Sequence, residues 1–426
     1  MQDFTAIVLA AGKGVRMKSP IPKVLQPLRG RPLICHVLGE LSSLHFIKQI
    51  IVVVGHEAGD VQQQVKSIFK NVEFVHQKKL LGTADAVMSA KEKVRYSNVL
   101  VLCADTPLVT KATLAAFSQA YLKERVAGSL ITAIVDFRNE LGKIVRDKDG
   151  NIKAIREKVD LGNDVVSRLA QGAMKEINSG IYAFDRDAML ENLLKIQPNQ
   201  NKGEYFLTDI IEIMYNDGNR ISSYILEENE EVLGINSQKD LAMAERVLNQ
   251  RVLGRLMDTG VKIMDPSSTV IAEGAKIGKN TLIFPFTFIE RNVIIGSHCT
   301  LGPFIHLREG TRVADNTGLG NFVEICRSKI GKHAKIKHFS YIGDATVGDE
   351  VNIGAGTVVA NFDGKNKNKT VIGKGAFIGS DTVLVAPVKI GKKALTGAGS
   401  VVTKNVGPSL MVVGVPARLL QKGKKR

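Results

Sequence analysis

Through the first 230 or so residues, short unbroken apolar runs alternate with amphipathic stretches. Residues 5–11, 49–55, 72–76 and 98–104 read as buried strands, and 32–44, 59–69, 83–94 and 111–123 as the helices between them. Strands apolar on both faces belong to a mostly parallel sheet covered by helices on either side. Residues 129–183 break this alternation with several β-rich stretches. Among them, residues 142–158 (GKIVRDKDGNIKAIREK) predict a hairpin turned at Asp149 and Gly150. Residues 237–257 are helical in pattern throughout and stop at Gly260, as a domain-joining helix would.

After residue 260 the pattern is different. An aliphatic residue followed by glycine recurs at a spacing of six or its multiples, with small offsets. The pairs are Ile277-Gly278, Ile295-Gly296, Leu301-Gly302, Ile330-Gly331, Ile342-Gly343, Val347-Gly348, Ile353-Gly354, Ile372-Gly373, Ile378-Gly379 and Ile390-Gly391. A period of six with one inward aliphatic side chain predicts a left-handed parallel β-helix, three short faces to a coil. The small residue after each aliphatic one is expected to permit the corner. Flat coil sides support oligomerisation, and by analogy with the usual arrangement for this repeat a homotrimer is expected.

Composition narrows the class. The 426 residues are 44% hydrophobic and 23% charged, an ordinary soluble balance that demands more than one core. No apolar run approaches the roughly 18 residues of a membrane span. The N-terminus MQDFTAIVLAAGKG lacks the basic start and cleavage site of a secretory signal. Cys35, Cys103, Cys299 and Cys326 lie too far apart for a zinc motif or a disulfide framework, so a cytoplasmic location is expected. The net charge of +16 is uneven: from residue 251 onward 26 Lys+Arg face 12 Asp+Glu, against 32 and 30 before it. The second half is therefore suited to a polyanion, nucleic acid or a multiply phosphorylated cofactor, and charge alone does not choose.

The first strand runs into LAAGKGVRMKSPIPK, residues 9–23. Gly12 and Gly14 let the backbone approach phosphate oxygens, and Arg16 and Lys23 add positive charge for a triphosphate. The segment is neither a Walker loop nor GxGxxG; a plain glycine turn flanked by solvated basic residues is the alternative. Asp105 follows the strand NVLVLCA at the carboxyl edge, where open α/β sheets bind ligands, and suits Mg²⁺, or else simply starts the turn before Pro107. Among eight histidines, His338 stands within the repeat array one coil after Glu324. Stacked coils would bring that carboxylate to the imidazole, raising its basicity and fixing its tautomer.

LAAGKGVRM with PK, LGT (81–83), CADTPL (103–108), EINSGIYAFD (176–185), GEYFLTDII (203–211) and VLGIN (232–236), followed by hexapeptide repeats, come in a telling order. Over essentially the whole chain they resemble the bacterial bifunctional N-acetylglucosamine-1-phosphate uridyltransferase / glucosamine-1-phosphate acetyltransferase family. The resemblance implies a Rossmann-like nucleotidyltransferase domain over 1–236, a linker helix over 237–260 and a β-helix acetyltransferase domain over 261–426. It implies synthesis of UDP-N-acetylglucosamine from UTP, acetyl-CoA and glucosamine 1-phosphate with Mg²⁺, as part of peptidoglycan synthesis. On that likeness Leu9, Ala11 and Gly12 line the base and ribose, and Arg16 and Lys23 hold phosphates and serve catalysis. Gln77 pairs with uracil beside Gly82 and Thr83. Asp105 and Asn236 hold the metal, Asn236 also bordering the sugar, which meets Gly142, Glu157 and Asn178. In the repeats His338 is the general base, oriented by Glu324, and Arg308, Tyr341, Asn352 and Lys367 surround glucosamine 1-phosphate. The Ala355 N–H meets the oxyanion, and Asn361, Phe362, Ser380 and Ala398 line acetyl-CoA.

Some positions depart from the family. Leu80 replaces glutamine and Cys103 tyrosine near the first site. Cys326 replaces a phosphate-contacting lysine, Phe362 a tyrosine, and the ending SLMVVGVPARLL lacks an arginine. Arg327 follows Cys326, and strand alternation turns it to the opposite face. These departures leave a second reading, a nucleotidyltransferase whose β-helix is a trimerisation scaffold or acetylates another amine. A third, a translation exchange-factor subunit binding RNA, has the same two parts but need not keep Gly12, Arg16, Lys23, Asp105 and Asn236 together. The tail 421–426 reads as a solvated basic end.

Overall fold

The computed structural model describes residues 1–135, 141–157, 176–200, 202–227 and 229–420. The chain divides into two compact units, Met1–Val247 and Leu248–Arg426. The basic tail 421–426 lies outside the described residues.

In the first unit the apolar runs become the strands Phe4–Ala10, Ile47–Val54, Glu73–His76 and Asn98–Cys103, all mutually parallel. Leu33–Ser42, Ala58–Ile68, Thr83–Ala90 and Lys111–Glu124 are the helices between them. The Thr110 hydroxyl starts the last of these by accepting from Thr113 N at 3.2 Å. The sheet continues past Asn98–Cys103 through Glu176–Asp185, antiparallel to both neighbours, then Gly128–Ile134 and Ile221–Leu226. The hairpin Lys143–Arg146 with Ile152–Arg156 forms as expected, its turn held by Asp147, whose carboxylate accepts from Asp149 N and Asn151 N. Phe4–Ala10 lies between Ile47–Val54 and Asn98–Cys103, so the chain leaves the sheet in opposite directions beside it. A crevice opens at the carboxyl end of such a strand.

The second unit is a three-sided stack of parallel sheets. Phe288 pairs with His306, His306 with Glu324 and Glu324 with Tyr341, so a coil takes eighteen or seventeen residues to return to the same face. Tyr341 pairs with Val358 and Val358 with Val383, and the longer second step accommodates a loop over residues 361–369. Nine of the ten repeat aliphatics are buried, and Ile277 packs partly against the same core. The helix Gln238–Asp258 supplies Val252 and Leu253 to that core, while Asn249 Nδ2 donates to Thr269 O at 2.7 Å.

The repeat glycines do not make the corners. Of the ten, only Gly302 has a positive φ. Corners fall instead in columns of left-handed residues: Asn280, His298, Asn316 and His333; Phe286, Phe304 and Phe322; Asn292, Gly310, Arg327 and Asp344. The repeat glycines are needed for close approach of the next coil. A methyl on Gly354 would stand 2.5 Å from Ser380 N, and one on Gly373 2.6 Å from Lys392 N.

Candidate active sites

The crevice at the first strand of the sheet is a cavity of about 650 Å³. It is lined by Leu9, Ala11, Gly12, Arg16, Lys23, Gln77, Gly82, Thr83, Asp105 and Asn236, so every residue expected to hold nucleotide or metal comes together there. Gly14 turns the loop with φ +62, and Lys23 packs against its α-carbon, which leaves no room for a side chain. Lys23 Nζ donates to the Asp105 carboxylate and, at 2.6 Å, to Asn236 Oδ1. Gln77 is buried, and its Nε2 donates to Gly82 O at 3.0 Å and to Asp85 at 2.7 Å. Thr83 Oγ1 accepts from Leu207 N at 2.9 Å.

A second, larger cavity of about 1620 Å³ shares this wall and is lined by Glu157, Asn178 and Asn236, with Arg16 and Cys103 on the boundary. Gly142 joins the two sugar-binding candidates: its carbonyl accepts from Asn178 N at 2.9 Å, and a methyl on it would stand 3.2 Å from Glu157 Oε1. Asn178 is oriented by Tyr182, to whose hydroxyl it donates at 2.7 Å. Thr208 lines this cavity, and its hydroxyl is buried with no hydrogen-bond partner among the described residues. Sequence reasoning missed it, because nothing local marks a buried threonine as unsatisfied. Burial, then the Asp105 charge, pushes the Cys103 thiol up to about 12, so it stays protonated.

On the β-helix, His338 is exposed at the mouth of a cleft of about 550 Å³ lined with Asn352, Ala355, Ser380 and Ala398. Arg308, Glu324, Tyr341, Asn361, Phe362 and Lys367 are not in that lining. Among the described residues no hydrogen bond joins Glu324 to His338. Stacking aligns residues of one face only, and the two stand on different faces: Glu324 is in register with Tyr341, His338 with Asn321. Glu324 accepts from Arg308 Nη1 at 3.1 Å instead.

A second group gathers around Asp344. Arg327 donates to both its oxygens, at 2.7 and 2.8 Å, and Asn361 Nδ2 donates at 2.6 Å. The Arg327 guanidinium, then Asn361, holds the Asp344 carboxyl below its usual range, with Lys367 contributing at longer reach. Strand alternation fails for Arg327 because Val323–Cys326 ends just before it. Its φ of +47 turns the side chain back, and Nη1 lies 2.8 Å from Cys326 Sγ. A guanidinium therefore sits beside the thiol. Asp344 was missed because its corner is visible only in three dimensions. Phe362 is exposed and bridges to Lys367 across the 361–369 loop. All four cysteines are free.

Two family models match the chain. Residues 6–142 match the MobA-like NTP transferase domain, and residues 327–361 and 369–404 match the bacterial transferase hexapeptide (six repeats). The chain is 42% identical to the Bifunctional protein GlmU of Heliobacterium modesticaldum over 97% of its own length and 96% of the relative's. It is 38% identical to the protein of that name from Geobacillus sp. (strain WCH70), covering 94% and 93%. The Geobacillus thermodenitrificans protein is also 38% identical, over 96% and 95%.

Proposed function

The chain belongs to the bifunctional GlmU family, and we propose on that premise how its two units divide the synthesis of UDP-N-acetylglucosamine. The second unit acetylates glucosamine 1-phosphate from acetyl-CoA, and the first transfers UMP from UTP to the N-acetylglucosamine 1-phosphate so made. The observation that carries this reading is the convergence of ten nucleotide and metal candidates on one cavity at the carboxyl end of the first strand.

In uridylyl transfer a phosphate oxygen of the sugar phosphate attacks the α-phosphorus of UTP, and pyrophosphate leaves. No covalent catalyst is needed; positioning and charge neutralisation lower the barrier. The loop around Gly12 and Gly14 presents backbone N–H groups to the triphosphate, with Arg16 and Lys23 as its cations. Gln77 faces the uracil edge, and Asn178 and Glu157 hold the sugar. The Cys103 thiol, protonated, takes no part as a nucleophile. Asp105 and Asn236 direct two oxygen atoms at one cation, the Lys23 ammonium. Such a pair fits magnesium, which takes one or two protein oxygens together with substrate phosphates and water. A magnesium ion held there would supply positive charge between the phosphates.

In acetyl transfer His338 takes a proton from the sugar amine as its nitrogen attacks the thioester carbonyl. The C–N bond forms, the C–S bond breaks, and the coenzyme A thiol leaves. The Ala355 N–H meets the oxyanion, and the basic residues of this half suit the phosphates of acetyl-CoA. Arg327, beside Cys326, supports retention of a phosphosugar acceptor despite the missing lysine.

A homotrimer is supported by the exposed column Phe286, Phe304 and Phe322, whose rings stack with centroids 4.8 and 4.9 Å apart. Among the described residues no helix is long and apolar enough to cross a membrane. The free thiols suit a reducing cytoplasm.

Each substrate pair supplied separately tests the division of labour. UTP with N-acetylglucosamine 1-phosphate and Mg²⁺ gives pyrophosphate and the nucleotide sugar, and Asp105→Ala removes that activity alone. Acetyl-CoA with glucosamine 1-phosphate gives free thiol, abolished only by His338→Ala. Thiol release that survives His338→Ala, or none from the wild type, returns the β-helix to a scaffold role.

A further inference from the structure

The two cavities of the first unit meet along a shared wall, and one lysine lines both. Lys13 and Lys23 border only the nucleotide cavity, whereas Lys202, like Arg16, borders that cavity and the sugar cavity alike. Its place is fixed by the backbone around it. Gly203, at φ +67, closes a turn in which Lys202 N and Gly203 N both donate to Asn199 O, at 3.3 and 2.7 Å. The following residues are fastened to the edge of the nucleotide cavity: Tyr205 N donates to Leu81 O at 2.7 Å, Ala84 N to Tyr205 O at 2.9 Å, and Leu207 N to Thr83 Oγ1. The Lys202 ammonium lies over the Phe206 ring, 5.8 Å from its centroid, and the residue stays exposed.

We propose that Lys202 binds the phosphate of the incoming sugar phosphate where the two cavities meet. The inference rests on the uridylyl-transfer reading above. Both reacting groups are anions, and their mutual repulsion has to be offset at the point where they approach. Lys23 is committed to Asp105 and Asn236 on the nucleotide side. The sugar cavity is lined by the carboxylates of Glu157, Glu230 and Asp240 and by Arg16 and Arg246, so without Lys202 its charged lining is three carboxylates against two guanidiniums. A lysine ammonium is a compact charge on a flexible stem, able to follow a phosphate whose position shifts as the new P–O bond forms.

Lys202→Gln and Lys202→Arg test this by two independent measurements. At saturating UTP, Lys202→Gln should raise KM for N-acetylglucosamine 1-phosphate about tenfold, and leave KM for UTP within about twofold, as expected for loss of one charge-assisted contact. Calorimetric Kd for N-acetylglucosamine 1-phosphate should rise in step, about 1.4 kcal/mol for a tenfold change, and Lys202→Arg should restore most of the binding. Unchanged Kd and KM in Lys202→Gln, or a loss falling on UTP instead, overturns the assignment. A wild-type protein that releases no pyrophosphate defeats the uridylyl-transfer reading, whereas the Kd comparison still decides the role of Lys202.

Discussion

At Cys326 and Arg327 the sequence alone misleads. Alternation along a strand sends Arg327 away from Cys326, and a corner conformation brings it back, with its guanidinium already beside the thiol. A lysine introduced at 326 would therefore meet an existing cation in a buried position. Cys326→Lys is expected to lower the thermal midpoint rather than improve sugar-phosphate binding, as differential scanning calorimetry would register. Asp344 gives a second residue-level expectation. Its folded-state pKa is depressed, by Arg327 first, below the ordinary 3.8. The unfolded chain thus binds more protons in acid, and the stability that Asp344 contributes is complete above about pH 5 and lost as pH falls through the depressed value. The gap in stability between wild type and Asp344→Asn should be flat from neutral pH down to about 5 and close below that range in denaturant titrations. In the nucleotide cavity Gly12, Gly14, Arg16 and Lys23 were legible because they sit close along the chain, and Asp105 because it follows a strand, whereas Gln77, Gly82, Thr83 and Asn236 were legible only through the family resemblance. Lys202, Thr208 and Asp344 were not legible, because the cavities and the coil corner that give them their place exist only in the folded chain.

Elements were read more completely than their connections. Apolar runs bury on both faces of a parallel sheet, so the four strands and four helices of the first half were visible in hydrophobic spacing. The six-residue period was equally plain, since one inward aliphatic per face is what a β-helix coil requires. The purpose of its glycines was not, because a close approach between coils has no local signature. Gly373→Ala should accordingly cost about 1–3 kcal/mol in chemical denaturation, the range for an overpacked position. Gly59→Ala, in the helix Ala58–Ile68 with open space around its α-carbon, should be neutral or stabilising by roughly 0.4–1 kcal/mol. The Glu324–His338 pairing failed for a related reason: a count of residues gives the coil, but three faces per coil decide which side chains meet.

At the scale of the whole molecule, two units each present a cavity or cleft suited to a different transfer. Both handle phosphorylated substrates, and the basic excess lies in the second half. Nothing in a period of six specifies a subunit count, so assembly had to be argued from exposed surface. Sedimentation equilibrium should give three times the mass of the chain, and charged residues in the Phe286, Phe304 and Phe322 column, such as Phe304→Glu, should shift it toward one. A monomer at micromolar concentration in the wild type would remove the trimer. The central claim is narrower: UTP binds at the carboxyl end of the first strand. A crystal structure of the protein soaked with UTP tests it most directly. The account predicts the triphosphate along the Gly12–Arg16 loop, reaching Lys23, with uracil at Gln77. Density for the nucleotide elsewhere, with that loop bare, would contradict it.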